Sequence, residues 1–190
     1  MPLRVVVLGI PGVGKTTVVE GVVSGHGGAK LVNFGTLMFE AGRSLGWVKN
    51  RDEIRRMKVE KQRRLQKLAA TKISRMQGKV IVVDTHLFIR TEEGFWPGLP
   101  FEVVRAMKPT HLVLVEASPQ DIAGRRSSDA TRYRDAVTLE GLAEELQLAR
   151  GFLTVSSTIT GAPMMMVTNA DGRQADAILQ VVRMLERASA

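Results

Sequence analysis

The sequence predicts an α/β domain, a doubly wound sheet of five parallel strands with helices on both faces. Two observations carry that expectation. Short apolar runs recur along the chain, each the length of a strand buried on both sides. Between them lie longer stretches whose apolar residues fall three and four positions apart, the period of a helix that buries one face. Such strands alternating with amphipathic helices build a parallel sheet covered on both sides. The 190 residues suit one unit of this kind, and no internal repeat or low-complexity tract divides them.

Taken in order, Arg4 to Leu8 is the first strand, ending at Gly9. A helix is predicted from Lys15 to about Ser24, stopped by the glycines between Gly25 and Gly28. Lys30 to Asn33 is a second strand, and Thr36 to Leu45 a helix closed by Gly46. Arg51 to Gln77 is long and charged, with Ile54, Met57, Leu65, Leu68, Ile73 and Met76 forming one apolar stripe and a break placed near Val59. Lys79 to Asp84 is the third strand. Glu92 to Pro100 is rich in glycine and proline and reads as a loop, with a short helix starting near Pro100. His111 to Glu116 is the fourth strand, followed by a helix from Pro119 to about Arg126 and a polar, basic loop from Ser127 to Asp135. Thr138 to Thr158 carries a strong helical period, with apolar positions running from Leu139 to Leu153 and Ser156 on the same face. Pro163 to Asn169 is the fifth strand, in which Met164 to Met166 are expected as core residues. The Asp171-Gly172 turn ends it, and a last helix turns Ala175, Ile178, Leu179, Val182 and Leu185 inward.

Composition narrows the function. Apolar residues make up 44% of the chain and charged ones 24%, an ordinary globular balance. The absence of cysteine excludes disulfide scaffolds, thiolate metal sites and a cysteine nucleophile. No apolar stretch approaches the roughly 18 residues that span a bilayer, and the apolar start runs straight into a glycine-rich loop, the form of a first strand and not of a leader. The expectation is a cytoplasmic protein without a membrane partner. The net charge of +8 calls for an anionic partner. With only 5% aromatic residues and no alternation of basic and stacking side chains, nucleotide phosphate is favoured over nucleic acid.

Gly9-Ile10-Pro11-Gly12-Val13-Gly14-Lys15-Thr16 supplies the chemistry. It fits the phosphate-loop pattern GxxxxGK[ST] in full, after a strand and before a helix. Glycines let successive amides turn toward phosphate oxygens, the helix start adds positive potential, Lys15 reaches the outer phosphates and Thr16 offers a hydroxyl to Mg²⁺. Thr17 follows in the first helical turn and belongs to the same cofactor-binding set. Asp84 ends an apolar strand, where a carboxylate in such proteins meets Mg²⁺ or its water shell. His86 is read as a loop-positioning residue, since three scattered histidines make no metal site.

Over its whole length the chain resembles the archaeal-type adenylate kinases. The resemblance rests on the phosphate loop, Val32-Asn-Phe-Gly-Thr36, Asn50-Arg-Asp-Glu-Ile-Arg55, Glu60-Lys-Gln-Arg63, Val83-Asp-Thr-His86, Gly98-Leu-Pro100 and Asp129-Ala-Thr-Arg-Tyr-Arg-Asp135. It implies a P-loop fold of the nucleoside monophosphate kinase type and the reaction ATP + AMP ⇌ 2 ADP with Mg²⁺, by direct in-line transfer. It further implies a single domain over 1–190, a monophosphate-binding arm at about 35–77, a short basic lid at about 126–135, and a homotrimer.

In that frame Arg90 lies between the donor and the AMP phosphate, and Arg132 and Arg134 join Lys15 as catalytic cations. Arg125, with Arg126, flanks the lid over the donor. Gly35 and Thr36 open the acceptor arm, and Arg55 or Arg56 anchors the AMP phosphate. A guanidinium fork suits this work because it binds two phosphate oxygens together. The lid is too short for the zinc-bound form of larger relatives, and there is no cysteine to build one. The residues alone leave two rivals: a P-loop kinase for another small acceptor, such as CMP, UMP or a small alcohol, and a nucleotide-gated ATPase associated with RNA.

Overall fold

The structure is a computed structural model that describes residues 2–91, 94–128 and 138–189; at 89–91 it describes the backbone alone. The sheet is formed by β1 (Leu3–Leu8), β2 (Ala29–Asn33), β3 (Val80–Asp84), β6 (His111–Glu116) and β7 (Met164–Thr168), in the order β2-β3-β1-β6-β7. Every neighbouring pair is parallel. The expected five-stranded parallel sheet is therefore present. Val5 to Leu8, Val80 to Val83 and Leu112 to Val115 are fully enclosed, as central strands between two helical layers must be.

The helices α1 (Lys15–Gly25), α7 (Leu139–Thr160) and α8 (Gln174–Ser189) pack against the sheet. Beside it stand α2 (Phe34–Ser44), α3 (Arg51–Arg55), α4 (Val59–Ser74), α5 (Phe101–Met107) and α6 (Pro119–Ser128). The charged stretch after Arg51 is two helices, separated at 56–58, close to the expected break. Leu65 and Ile73 are buried under α4, but Leu68 is exposed, so the apolar stripe is narrower than the sequence suggests. Leu139 and Leu179 are likewise exposed and not part of the core.

Two other expectations are corrected. The segment from Glu92 to Pro100 is not simply a loop: β5 (Gly94–Pro97) pairs antiparallel with β4 (Phe88–Thr91), and Phe95 meets Phe88 edge to face with centroids 4.9 Å apart. Glycine and proline suggested a breaker, but cross-strand aromatic packing holds a hairpin there. Of the three methionines of β7, Met165 packs against the core as expected, but Met164 and Met166 do not. β7 is the edge strand, and its alternation leaves Met164 44% and Met166 52% exposed while Val167 is buried. A wholly apolar run does not reveal whether a strand is central or at an edge. No described helix is long and apolar enough to cross a membrane.

Because all five strands run the same way, Leu8, Asn33, Asp84, Glu116 and Thr168 end together at one edge of the sheet. The loops that leave this edge form the site, as is general for open parallel sheets.

Candidate active site

The phosphate loop joins central β1 to α1. Gly12 and Gly14 have φ of 94° and 76°, a left-handed backbone closed to most side chains, so glycine is required at both. Gly14 is the cap of α1, which puts the free amides of Lys15, Thr16 and Thr17 at the mouth of the loop. Thr16 and Thr17 are exposed there. Gly9 lies tight below, where a Cβ would come within 2.8 Å of Val13 and 2.9 Å of the Val115 carbonyl.

Lys15 is only 7% exposed, and its ammonium pairs with Asp84 Oδ1. Burial pushes the Lys15 ammonium down to about 8. Asp84 ends β3 beside β1, and its second oxygen, Oδ2, accepts a hydrogen bond of 2.9 Å from Asn33 Nδ2. Asn33 stands opposite Asp84 in the β2–β3 register. Its own Oδ1 caps α2, accepting the Thr36 N–H at 2.9 Å and the Thr36 hydroxyl at 3.1 Å. The sequence showed Asn33 only as a strand end and as part of a resemblance; in the structure it links Asp84 to the start of α2.

Gly35 and Thr36 lie in the first turn of α2. Arg51, at the first position of α3, donates a close hydrogen bond from Nη2 to Thr36 Oγ1. Arg55 lies in the last turn of α3, exposed, and its carbonyl accepts from Gln62 Nε2 at 3.4 Å. The structure thus brings Arg51, and not Arg55, to Thr36. The signal was available: Asn50 followed by Glu53 is a helix-start pattern that places Arg51 in the first turn.

Arg125 approaches the loop from outside, with Nη1 3.4 Å from the Gly12 carbonyl, Nε 2.8 Å from Asp171 Oδ1 and Nη2 2.9 Å from the Asn169 carbonyl. Arg126 does the same at Pro11. On the far side Glu116 ends β6, and Arg150 binds it through two bonds of 2.7 and 3.2 Å. That pair offsets a carboxylate that would otherwise repel phosphate at this edge, and Glu116 raises the Arg150 guanidinium in return. Arg90 lies in β4 opposite Phe95, with its side chain outside the described structure. Arg132 and Arg134, and with them most of the expected lid, lie outside the described residues.

For Mg²⁺ the donor set is a hydroxyl at Thr16 and a carboxylate at Asp84. Among the described residues no three acidic or histidine side chains converge as a metal cage. The set fits this ion, which keeps waters and shares its coordination with substrate phosphates.

Strand order, glycine loop, capped first helix, lysine and strand-end aspartate define a P-loop protein that binds nucleotide phosphates. A family model described as an AAA domain matches residues 8–143. Among solved structures, shikimate kinase from Bacteroides thetaiotaomicron has a TM-score of 0.61 at 13% identity, with 97% of this chain and 98% of that one covered. A gluconokinase from Sinorhizobium meliloti has a TM-score of 0.57 at 14% identity, covering 99% and 94%. These likenesses show the fold. An adenylate kinase of Thermoplasma acidophilum is 39% identical over 96% of this chain and 98% of its own. That of Methanocaldococcus jannaschii is 39% identical over 96% and 97%. The chain belongs to the adenylate kinase family.

Proposed function

We propose that the chain transfers a phosphoryl group reversibly from ATP to AMP, giving two ADP. One observation carries this reading beyond the family: the phosphate loop and the capped start of α2 leave the same sheet edge, joined through Lys15, Asp84, Asn33 and Thr36. Two phosphate-handling elements side by side suit in-line transfer, which asks a protein mainly to position both phosphates and spread positive charge around the moving group.

The loop amides and Lys15 hold the donor phosphates, which compete with Asp84 for the ammonium. Thr16 and Asp84 would hold Mg²⁺, which supplies charge neutralisation at the donor phosphates when bound. Gly35, Thr36 and Arg51 take the acceptor phosphate. Arg90, Arg132 and Arg134 serve as transition-state cations, a role the resemblance implies, Arg132 and Arg134 standing in its Asp129–Asp135 motif and Arg90 six residues after Asp84. The acceptor phosphate is itself the nucleophile, so no covalent enzyme intermediate forms. We also propose self-association, as a trimer in keeping with the resemblance; support comes from the exposed methionines on the edge strand β7. Light scattering after gel filtration tests this, and a monomer at micromolar concentration would overturn it.

The activity test is ADP formation from ATP with AMP, CMP, UMP and small alcohols in turn. The expected result is turnover with AMP far above the others and two ADP per AMP consumed. Equal ATP consumption with and without AMP would indicate a plain ATPase instead.

A further inference from the structure

Glycine gives the phosphate loop its turns but also leaves it free to adopt others. Something outside the loop has to select the one that binds phosphate. Three successive carbonyls of the loop point outward, and each meets a side chain from another element. Arg126 Nε donates to the Pro11 carbonyl at 2.9 Å, Arg125 Nη1 more weakly to Gly12 at 3.4 Å, and Asn169 Nδ2 to Val13 at 2.8 Å. In a trans peptide the C=O and the following N–H point in opposite directions. Fixing the Pro11 and Val13 carbonyls outward therefore turns the Gly12 and Gly14 amides toward the phosphate side.

Both strong anchors are held firmly. Asn169 is 1% exposed, and its backbone N–H donates to the Glu116 carbonyl at 2.7 Å, tying it to the end of β6. The guanidinium of Arg126 donates through Nη2 to Glu145 at 3.0 Å, in a pair with 12% and 6% of the two side chains exposed. The fit is close on the loop side as well. A Cβ at Gly12 would come within 3.1 Å of Arg126 Cγ, and one at Gly14 would collide with the Asn169 amide.

We propose that Arg126 and Asn169 are positioning residues of the donor site, acting through the outer carbonyls of the loop without touching the nucleotide. The proposal rests on the donor-site reading above. It is tested by titrating ATP and inorganic tripolyphosphate into wild-type protein and Asn169→Ala by calorimetry, with AMP KM and melting temperature measured alongside. One lost hydrogen bond that sets a charged site corresponds to about a tenfold loss. The expected result is a loss of that size for ATP and tripolyphosphate alike, an AMP KM within about twofold of wild type and a retained folded state. A loss confined to ATP would overturn the proposal in favour of a contact with the base, and unchanged binding would overturn it outright. Equal weakening toward AMP would reduce the residue to a general structural role, also overturning it. Where Asn169→Ala does not fold, Arg126→Lys is judged by the same criteria, since it keeps the charge and loses the fork that spans Pro11 and Glu145. Failure of wild-type protein to bind either probe would instead overturn the donor site itself.

Discussion

The two halves of the site are built in opposite ways. The donor half is a loop wedged between central strands, its lysine buried and its carbonyls held from outside. The half proposed to take the acceptor ends in α3, a short helix that buries no residue at all and is held by caps and side-chain hydrogen bonds. Burial fixes the first independently of ligand, whereas local polar contacts fix α3 in the second. Changes in the donor half should therefore act mainly on the chemistry, and changes in the arm on acceptor affinity.

The largest effect is expected from Lys15→Met. Removing a preorganised charge from the transition state costs about 3 to 4 kcal/mol, a loss of roughly 10²- to 10³-fold in turnover. The fold should persist, because the strands around the lysine are packed by apolar side chains. Single-turnover assays beside circular dichroism check both halves of this statement. Near-normal turnover would remove Lys15 from the chemistry.

The arm is expected to respond differently. Arg51→Ala should raise the AMP KM by about 10- to 100-fold, the worth of a hydrogen bond to a charged group, and leave ATP affinity unchanged. Arg55→Ala should change it little, since that side chain is exposed at the opposite end of α3. Steady-state kinetics on the two variants decide between them. The reverse ranking would restore the assignment of Arg55 drawn from the sequence.

That contrast also explains what was legible in the sequence. The phosphate loop reads directly because its chemistry demands glycine at fixed positions and lysine at one more, so spacing alone locates Gly9, Gly14 and Lys15. The sheet was legible for a similar reason, since central strands must be apolar on both faces. Arg51 was obscured by Arg55 and Arg56, because an exposed arginine on a charged helix looks the same whichever way it points. Only the Asn50–Glu53 cap distinguishes its position. Asn169 was unreadable as a partner of Val13, as 156 residues separate them and only the fold brings them together. The edge position of β7 was hidden too, because strand order is a property of the whole sheet.

A smaller effect separates the halves by pH. Burial holds the Lys15 ammonium at about 8 against an ordinary 10.5. In the free protein kcat/KM for ATP should fall as pH rises through that value, by about tenfold one unit beyond it. Bound phosphates favour the ammonium, so the limb in kcat should lie at higher pH. AMP affinity, on the proposal that the arm sets it, should not share this limb. The stability sign is opposite. The unfolded chain holds this proton more tightly, so the cost of burying the charge is present below pH 8 and is relieved between about 8 and 10.5. Urea unfolding across that window should show this contribution rising in wild type and absent in Lys15→Met.

The smallest effect concerns the cap of the arm. Asn50 Oδ1 accepts the Glu53 N–H at 3.1 Å, and the Glu53 carboxylate accepts from Lys49 N–H at 2.8 Å and Asn50 Nδ2 at 2.7 Å. These bonds close the first turn of a five-residue helix, far too short to be stable alone. Asn50→Ala removes one acceptor and one donor from that turn, and losing such a cap typically costs about 1 kcal/mol. Because α3 buries nothing, the cost should fall on local order and not on the melting temperature. Arg51 would then spend a smaller share of its time at Thr36, and the AMP KM should rise by about fivefold with ATP affinity unchanged. Hydrogen exchange should report faster amide opening at 51–55 in the same variant. An unchanged AMP KM with α3 opened would show that Arg51 does not set acceptor affinity, and the polar construction of the arm would lose its functional meaning.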